Sequence, residues 1–177
     1  GGEFPRQFAD VAALPGIGRS TAGAILALAY DERQPILDGN VKRVLGRVFA
    51  IEGNASQRSV EQRLWTLAEA CTPAQDVATY TQAIMDLGAT VCAPRRPRCD
   101  ACPMNTICIA RAEARQAELP GRKPRQAARS TSFLSSPAVN WWGRFTKLVT
   151  LLRGNVRSRW LRLLCANVSV LISPTPI

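Results

Sequence analysis

The chain has 177 residues, enough for one domain or two small ones with a sizeable core. Its net charge of +10 hides an asymmetry: residues 1–118 carry 13 Lys/Arg against 13 Asp/Glu, whereas residues 119–177 carry ten Lys/Arg and no acid. A neutral body excludes bulk positive charge as the basis of nucleic-acid binding there, so any such binding must rest on locally placed residues. Gly1–Asp10 has neither the basic start nor the apolar stretch of a signal peptide. A reducing compartment is therefore expected, where thiols serve metals more often than disulfides.

Residues 8–118 read as almost wholly helical. A short helix leads into Leu14-Pro15-Gly16-Ile17-Gly18-Arg19-Ser20-Thr21, and a second helix, Arg19–Tyr30, is rich in Ala, Leu and Ile. Asp38–Ala50 places Val41, Val44, Leu45, Val48 and Phe49 on one helical stripe. Ser56–Cys71 repeats the pattern with Val60, Leu64, Leu67, Ala68 and Cys71, and Ser56 or Ser59 can cap it. Gln75–Gly88 is a further helix, ended by Gly88, and Thr106–Glu118 reads as a polar helix. No period-two run competes, so the fold class is all-α. At Leu119–Arg129, Pro120, Gly121, Pro124 and four basic residues mark a linker. The tail beyond it has no sustained periodicity, and its apolar stretch Leu161–Ile172 is too short and interrupted to span a membrane. A basic surface-binding segment is one reading of this tail. The preferred one is a stretch never selected as a folded domain, since unpatterned, acid-free sequence forms no core to offset the entropy of ordering.

Cys92, Cys99, Cys102 and Cys108 stand in a C-x6-C-x2-C-x5-C run, and Pro94, Pro97 and Pro103 keep the intervening chain as tight loop. The run lacks the repeated two-residue spacings of a zinc ribbon. It suits four thiolates around one [4Fe–4S] cluster. Cys71 and Cys165 lie apart from it, and Cys71, on an apolar stripe, reads as a buried inert thiol.

Two further segments carry chemistry. In the turn before Arg19, Gly16 and Gly18 permit positive φ, and backbone N–H groups at the start of the next helix point outward together. They can hold a phosphate oxygen, directly or through a bound monovalent cation, and such a contact positions DNA without reading its sequence. Arg19 is a candidate phosphate contact. In Pro35-Ile36-Leu37-Asp38-Gly39-Asn40-Val41-Lys42-Arg43, Asp38 opens a helix. As an N-cap it is unremarkable, yet the helix terminus and Lys42 also favour negative charge there, as needed beside a cation that develops during a reaction. Asn40 can orient that acid or a phosphate, and Lys42 and Arg43 can face a phosphate backbone.

Hairpin, acid and cysteine run, in this order, resemble the helix-hairpin-helix DNA glycosylase superfamily over residues 8–118. Leu37-Asp38-Gly39-Asn40-Val41-Lys42-Arg43 is most similar to the active-site segment of the branch that removes adenine mispaired with 8-oxoguanine or guanine. The endonuclease III branch typically reads VDTH there and places a Schiff-base lysine where this chain has Ser20. The resemblance implies a monofunctional glycosylase that acts on double-stranded DNA holding a mispaired adenine. In it Asp38 stabilises or captures the sugar oxocarbenium ion, assisted by Asn40, after the base is flipped out. Gly16, Gly18, Arg19, Ser20, Lys42 and Arg43 bind DNA, and the loop with Arg95, Arg96 and Arg98 lies along the backbone. It further implies a monomeric, bacterial-type, cytoplasmic, nucleoid-associated protein with no membrane contact.

The chain departs from that pattern in two places. Superfamily members carry the adenine-protonating glutamate and a duplex wedge before this hairpin, and Glu3 lies in no matching motif. Their C-terminal domain, similar to Nudix hydrolases, is not matched by residues 126–177. The reading is an internal fragment: residues 1–91 a partial glycosylase domain, 92–118 the cluster loop and helix, 119–177 linker and unrelated tail, with excision impaired. The alternatives are an endonuclease III-like glycosylase, which Ser20 and Asn40 oppose, and a non-catalytic DNA-binding module with a structural cluster.

Overall fold

The computed structural model describes residues 2–121. The tail, Cys165 and the apolar stretch 161–172 lie outside the described residues. Six α-helices follow in order: α1 (Phe8–Ala12), α2 (Arg19–Tyr30), α3 (Gly39–Val48), α4 (Arg58–Cys71), α5 (Val77–Asp86) and α6 (Ile109–Ala112). A π-helical turn, Leu87–Val91, and a 3₁₀ turn, Cys99–Ala101, lie between α5 and α6. Among the described residues there is no strand, only an isolated bridge between Asn54 and Gly121.

Helix α3 is the hub, packing on α4, α5, α6 and the π turn. The sequence explains why: its stripe Val41, Val44, Leu45 and Val48 is buried against Val60, Leu64 and Ala68 of α4 and Tyr80 and Ile84 of α5. Each valine, leucine or isoleucine among them contributes about 1.5–3 kcal/mol when fully buried. A smaller cluster, Val11, Ala22 and Leu26, joins α1 to α2, and α2 also packs on α5.

The segment between α2 and α3 is tied to elements later in the chain. Asp31 accepts from the backbone N–H of Ala78 at 2.8 Å, supplying an acceptor at the start of α5. Arg33 donates to the carbonyls of Thr72 (3.2 Å) and Glu69 (2.9 Å) at the end of α4.

Three boundaries differ from the sequence reading. Neither Ser56 nor Ser59 caps α4, which starts at Arg58 behind Gln57, without a side-chain cap. Asn54 organises that entry instead, its side chain accepting from Ser56 N and its carbonyl from Gln57 N. Gly88 does not stop α5, because the chain passes through it in the π turn. A Cβ on Gly88 would stand 2.6 Å from Asn40 Cβ and 2.9 Å from its backbone, so the glycine lets the start of α3 approach. Thr106–Glu118 is helical only over Ile109–Ala112. Ala114 turns to φ +56°, and Arg115 pairs with Glu52, Glu113 and Glu118, which favours a folded-back chain over a longer helix.

Candidate functional site

Asp38 sits at the N-cap of α3 with extended backbone. Its Oδ1 accepts from Val41 N at 2.8 Å, and its Oδ2 from Asn40 Nδ2 at 3.3 Å. Both oxygens are thus held while the side chain remains half-buried. Cap and site are one arrangement: the carboxylate that satisfies the helix end is the one presented beside it.

Asn40 passes this constraint inward. Its Oδ1 accepts from Arg43 Nη2 at 2.7 Å, and the same guanidinium donates to Gly88 O (2.7 Å), Cys92 O (2.7 Å) and Gly39 O (3.3 Å). Sequence reasoning pointed Arg43 at a phosphate. In the structure four of its five N–H donors are held by the protein. Burial pushes the guanidinium below its ordinary value, and negative charge at Cys92 opposes that shift. Lys42, expected to support Asp38 or face DNA, instead pairs with Glu61 at 2.6 Å.

At the hairpin, Gly16 adopts φ +82°, and Ile17 N donates to Leu14 O at 3.0 Å. Gly18 caps α2 without a side-chain bond. Among the described residues no acceptor faces the N–H groups of Arg19, Ser20 and Thr21, as the geometry of a helix start requires. Ser20, read as a DNA contact, uses its hydroxyl to accept from Leu37 N at 2.9 Å and so ties the hairpin to the residue before Asp38. Arg19 lies over the Trp65 ring, 3.9 Å from its centroid. Cation–π contact of this kind fixes direction without neutralising charge.

The four cysteines line one cavity with Val44, Val48, Leu87 and Met104. Cys92 follows the π turn, Cys99 opens the 3₁₀ turn, Cys102 closes it and Cys108 caps α6. Burial raises the Cys102 and Cys108 thiols, and the neighbouring cysteines add to both shifts. Among the described residues no three His, Cys, Asp or Glu side chains converge as ligands of a single ion. The four thiols nonetheless share one cavity, whose lining also includes Arg47, Asn105 and Gln116.

Arg47, which the sequence reading passed over, organises this loop. It is 3% exposed. It donates to the carbonyls of Leu119 (2.9 Å), Ala93 (2.9 Å), Pro94 (3.2 Å) and Cys92 (3.3 Å), and to Cys92 Sγ at 3.2 Å. Its own carbonyl lies 3.6 Å from Cys108 Sγ. A signal was available, because Arg47 stands three residues after Val44 on the buried stripe, where a cation needs buried acceptors. Trp65 and Glu61 were also missed. They stand four residues apart on α4, a spacing that carried no motif.

Residues 1–28 match the model of the helix-hairpin-helix motif. An adenine DNA glycosylase of Buchnera aphidicola (from Schizaphis graminum) is 46% identical over 70% of this chain and 36% of its own length. The human adenine DNA glycosylase is 44% identical over 67% of this chain and 22% of its own. A solved thermostable thymine-DNA glycosylase superposes with TM-score 0.55 at 32% identity, over 63% of this chain and 51% of that one. The chain spans about a third of the length of the bacterial relatives it matches.

Proposed function

We propose, from the premise that this chain belongs to the adenine DNA glycosylase family of helix-hairpin-helix proteins, that it contributes to base-excision repair. Its reaction is hydrolysis of the N-glycosidic bond of adenine mispaired with 8-oxoguanine or guanine in double-stranded DNA. The observation that carries this is Asp38 at the α3 N-cap, fixed at both oxygens by Val41 N and Asn40.

Departure of a flipped-out adenine leaves its deoxyribose as an oxocarbenium ion. Asp38 supplies the anion that stabilises or captures it, and water then takes the place of adenine at C1′. Because the helix end and Asn40 preorganise the carboxylate, little reorganisation is needed as charge develops. Free N–H groups at the start of α2 take a backbone phosphate oxygen, directly or through a monovalent cation. Ser20 links that contact to Leu37 and hence to Asp38. It bears no amine, which fits hydrolysis without imine chemistry.

Cys92, Cys99, Cys102 and Cys108 would hold a [4Fe–4S] cluster, supported by the four thiols lining one cavity. Bound there, the cluster supplies a rigid crosslink of the loop rather than a step of hydrolysis. Arg95 and Arg98 are exposed on the loop and provide local positive charge toward the backbone.

The test is single-turnover excision with duplexes holding adenine opposite 8-oxoguanine and thymine opposite guanine. The adenine-protonating glutamate has no matching motif within these 177 residues, so the assay is run with and without a relative's segment that carries it. A general acid is worth roughly 10²–10⁴-fold, so adenine release should be weak without that segment and restored with it. Release of thymine in preference to adenine would overturn the substrate assignment.

A further inference from the structure

Arg19 at the start of α2 and Lys42 in the first turn of α3 both lie against α4. The Arg19 guanidinium stands 3.9 Å from the Trp65 ring centroid, and Lys42 Nζ stands 2.6 Å from Glu61 Oε1. Glu61 and Trp65 are four residues apart, so one face of α4 carries both partners. That face treats its two cations in opposite ways. The indole is neutral, so it aims Arg19 and leaves the charge uncompensated. The Glu61 carboxylate cancels the charge of Lys42. The Lys42 and Glu61 side chains are 23% and 40% exposed, so this is a surface pair whose net worth is small and whose partners can exchange.

We propose that Glu61 competes with the DNA backbone for Lys42. Lys42 meets a phosphate only by leaving Glu61, whereas Arg19 is available at first contact. The inference rests on the DNA-binding reading above and deepens it. Lys42 lies one helical turn from Asp38, so the exchange takes place beside the reacting sugar and not along a flank. An undamaged duplex that does not displace Glu61 from Lys42 meets one fewer cation, and its affinity is held down accordingly.

The experiment is fluorescence anisotropy of a labelled, undamaged duplex with the full chain and its Glu61→Gln, Glu61→Asp, Lys42→Met and Glu61→Gln/Lys42→Met variants. Salt is varied from about 50 to about 200 mM, a range over which each phosphate contact changes the log–log slope by about 0.9. Glu61→Gln should steepen the slope by about that amount and tighten binding roughly 3- to 10-fold. Glu61→Asp should keep the parental slope, and the gain should vanish in the Lys42→Met background. Unchanged or weaker binding by Glu61→Gln would overturn the proposal. An equal gain in the Lys42→Met background would also overturn it, by showing only a diffuse charge effect. A parent chain that binds no duplex at about 50 mM salt would instead refute the DNA reading itself, which keeps the two failures apart.

Discussion

Replacing Arg47 by leucine removes the residue that ties α3 to the cysteine loop and to the chain at Leu119. Its five acceptors differ in what they lose. Cys92 O keeps Arg43, and Pro94 is exposed, so water can take over there. Leu119 O is buried and Ala93 O half-buried, and these two carbonyls are left without the donor. An orphaned buried acceptor costs about 1–3 kcal/mol, so two of them cost roughly 2–6 kcal/mol, offset in part by the new apolar contact of leucine. The expected loss is about 3 kcal/mol, a large share of the roughly 5–15 kcal/mol that holds a domain folded. Urea denaturation should show a midpoint lowered by about 1–2 M for a slope near 2 kcal/mol/M. Hydrogen exchange should accelerate first at residues 92–98 and 119–121. Arg47→Lys should recover only part of the loss, because one ammonium cannot span acceptors placed for a fork. An Arg47→Leu midpoint within about 0.2 M of the parent, with protection at residue 119 unchanged, would refute the reasoning.

Asp38→Asn should abolish excision in the version carrying the general acid and leave mispair binding intact. Asparagine caps a helix about as well as aspartate, so the melting temperature should hold, whereas Asp38→Ala should cost about 1 kcal/mol. Excision that survives Asp38→Asn would reduce the residue to a cap. Anaerobically purified protein should carry about four irons per chain and absorb broadly near ~400 nm. Cys99→Ala should lower the iron content and Cys165→Ala should not, and stoichiometric zinc without iron would count against the assignment. The Cys71 thiol is buried, which pushes it from 9.0 up to about 11. Its folded value exceeds its unfolded one, so its contribution is complete below pH 9.0 and is lost as pH rises from there toward about 11. Chemical denaturation at alkaline pH should therefore show a fall that Cys71→Ala flattens, and iodoacetamide should leave Cys71 unlabelled at neutral pH.

The stripe on α3 was legible because four apolar residues at helical spacing leave one way to bury them. Asp38 was legible for a similar reason: an acid three residues before Val41 is what a helix start asks for. Gly88 was misread because a glycine that stops a helix and one that admits a neighbour look alike until Asn40 is placed beside it. The helix predicted at Thr106–Glu118 failed on long-range charge, since the Glu52 partner of Arg115 is 63 residues away. The bonds of Arg43 were not legible, because its acceptors Gly88 O and Cys92 O are backbone atoms that no composition reveals. The inward turn of Arg43 and Arg47 follows from their spacing of one helical turn, which sets both against the same loop.

The bonds from Asp31 and Arg33 set an order of assembly. Contacts among α1, the hairpin and α2 are local in sequence and can close early. The stretch that delivers Asp38 is anchored to Glu69, Thr72 and Ala78, which lie 36 to 47 residues away, and such distant closures form late. A nascent chain released before α5 would thus own a finished hairpin and an unplaced carboxylate. This architecture therefore couples placement of the Asp38 carboxylate to completion of its middle helices.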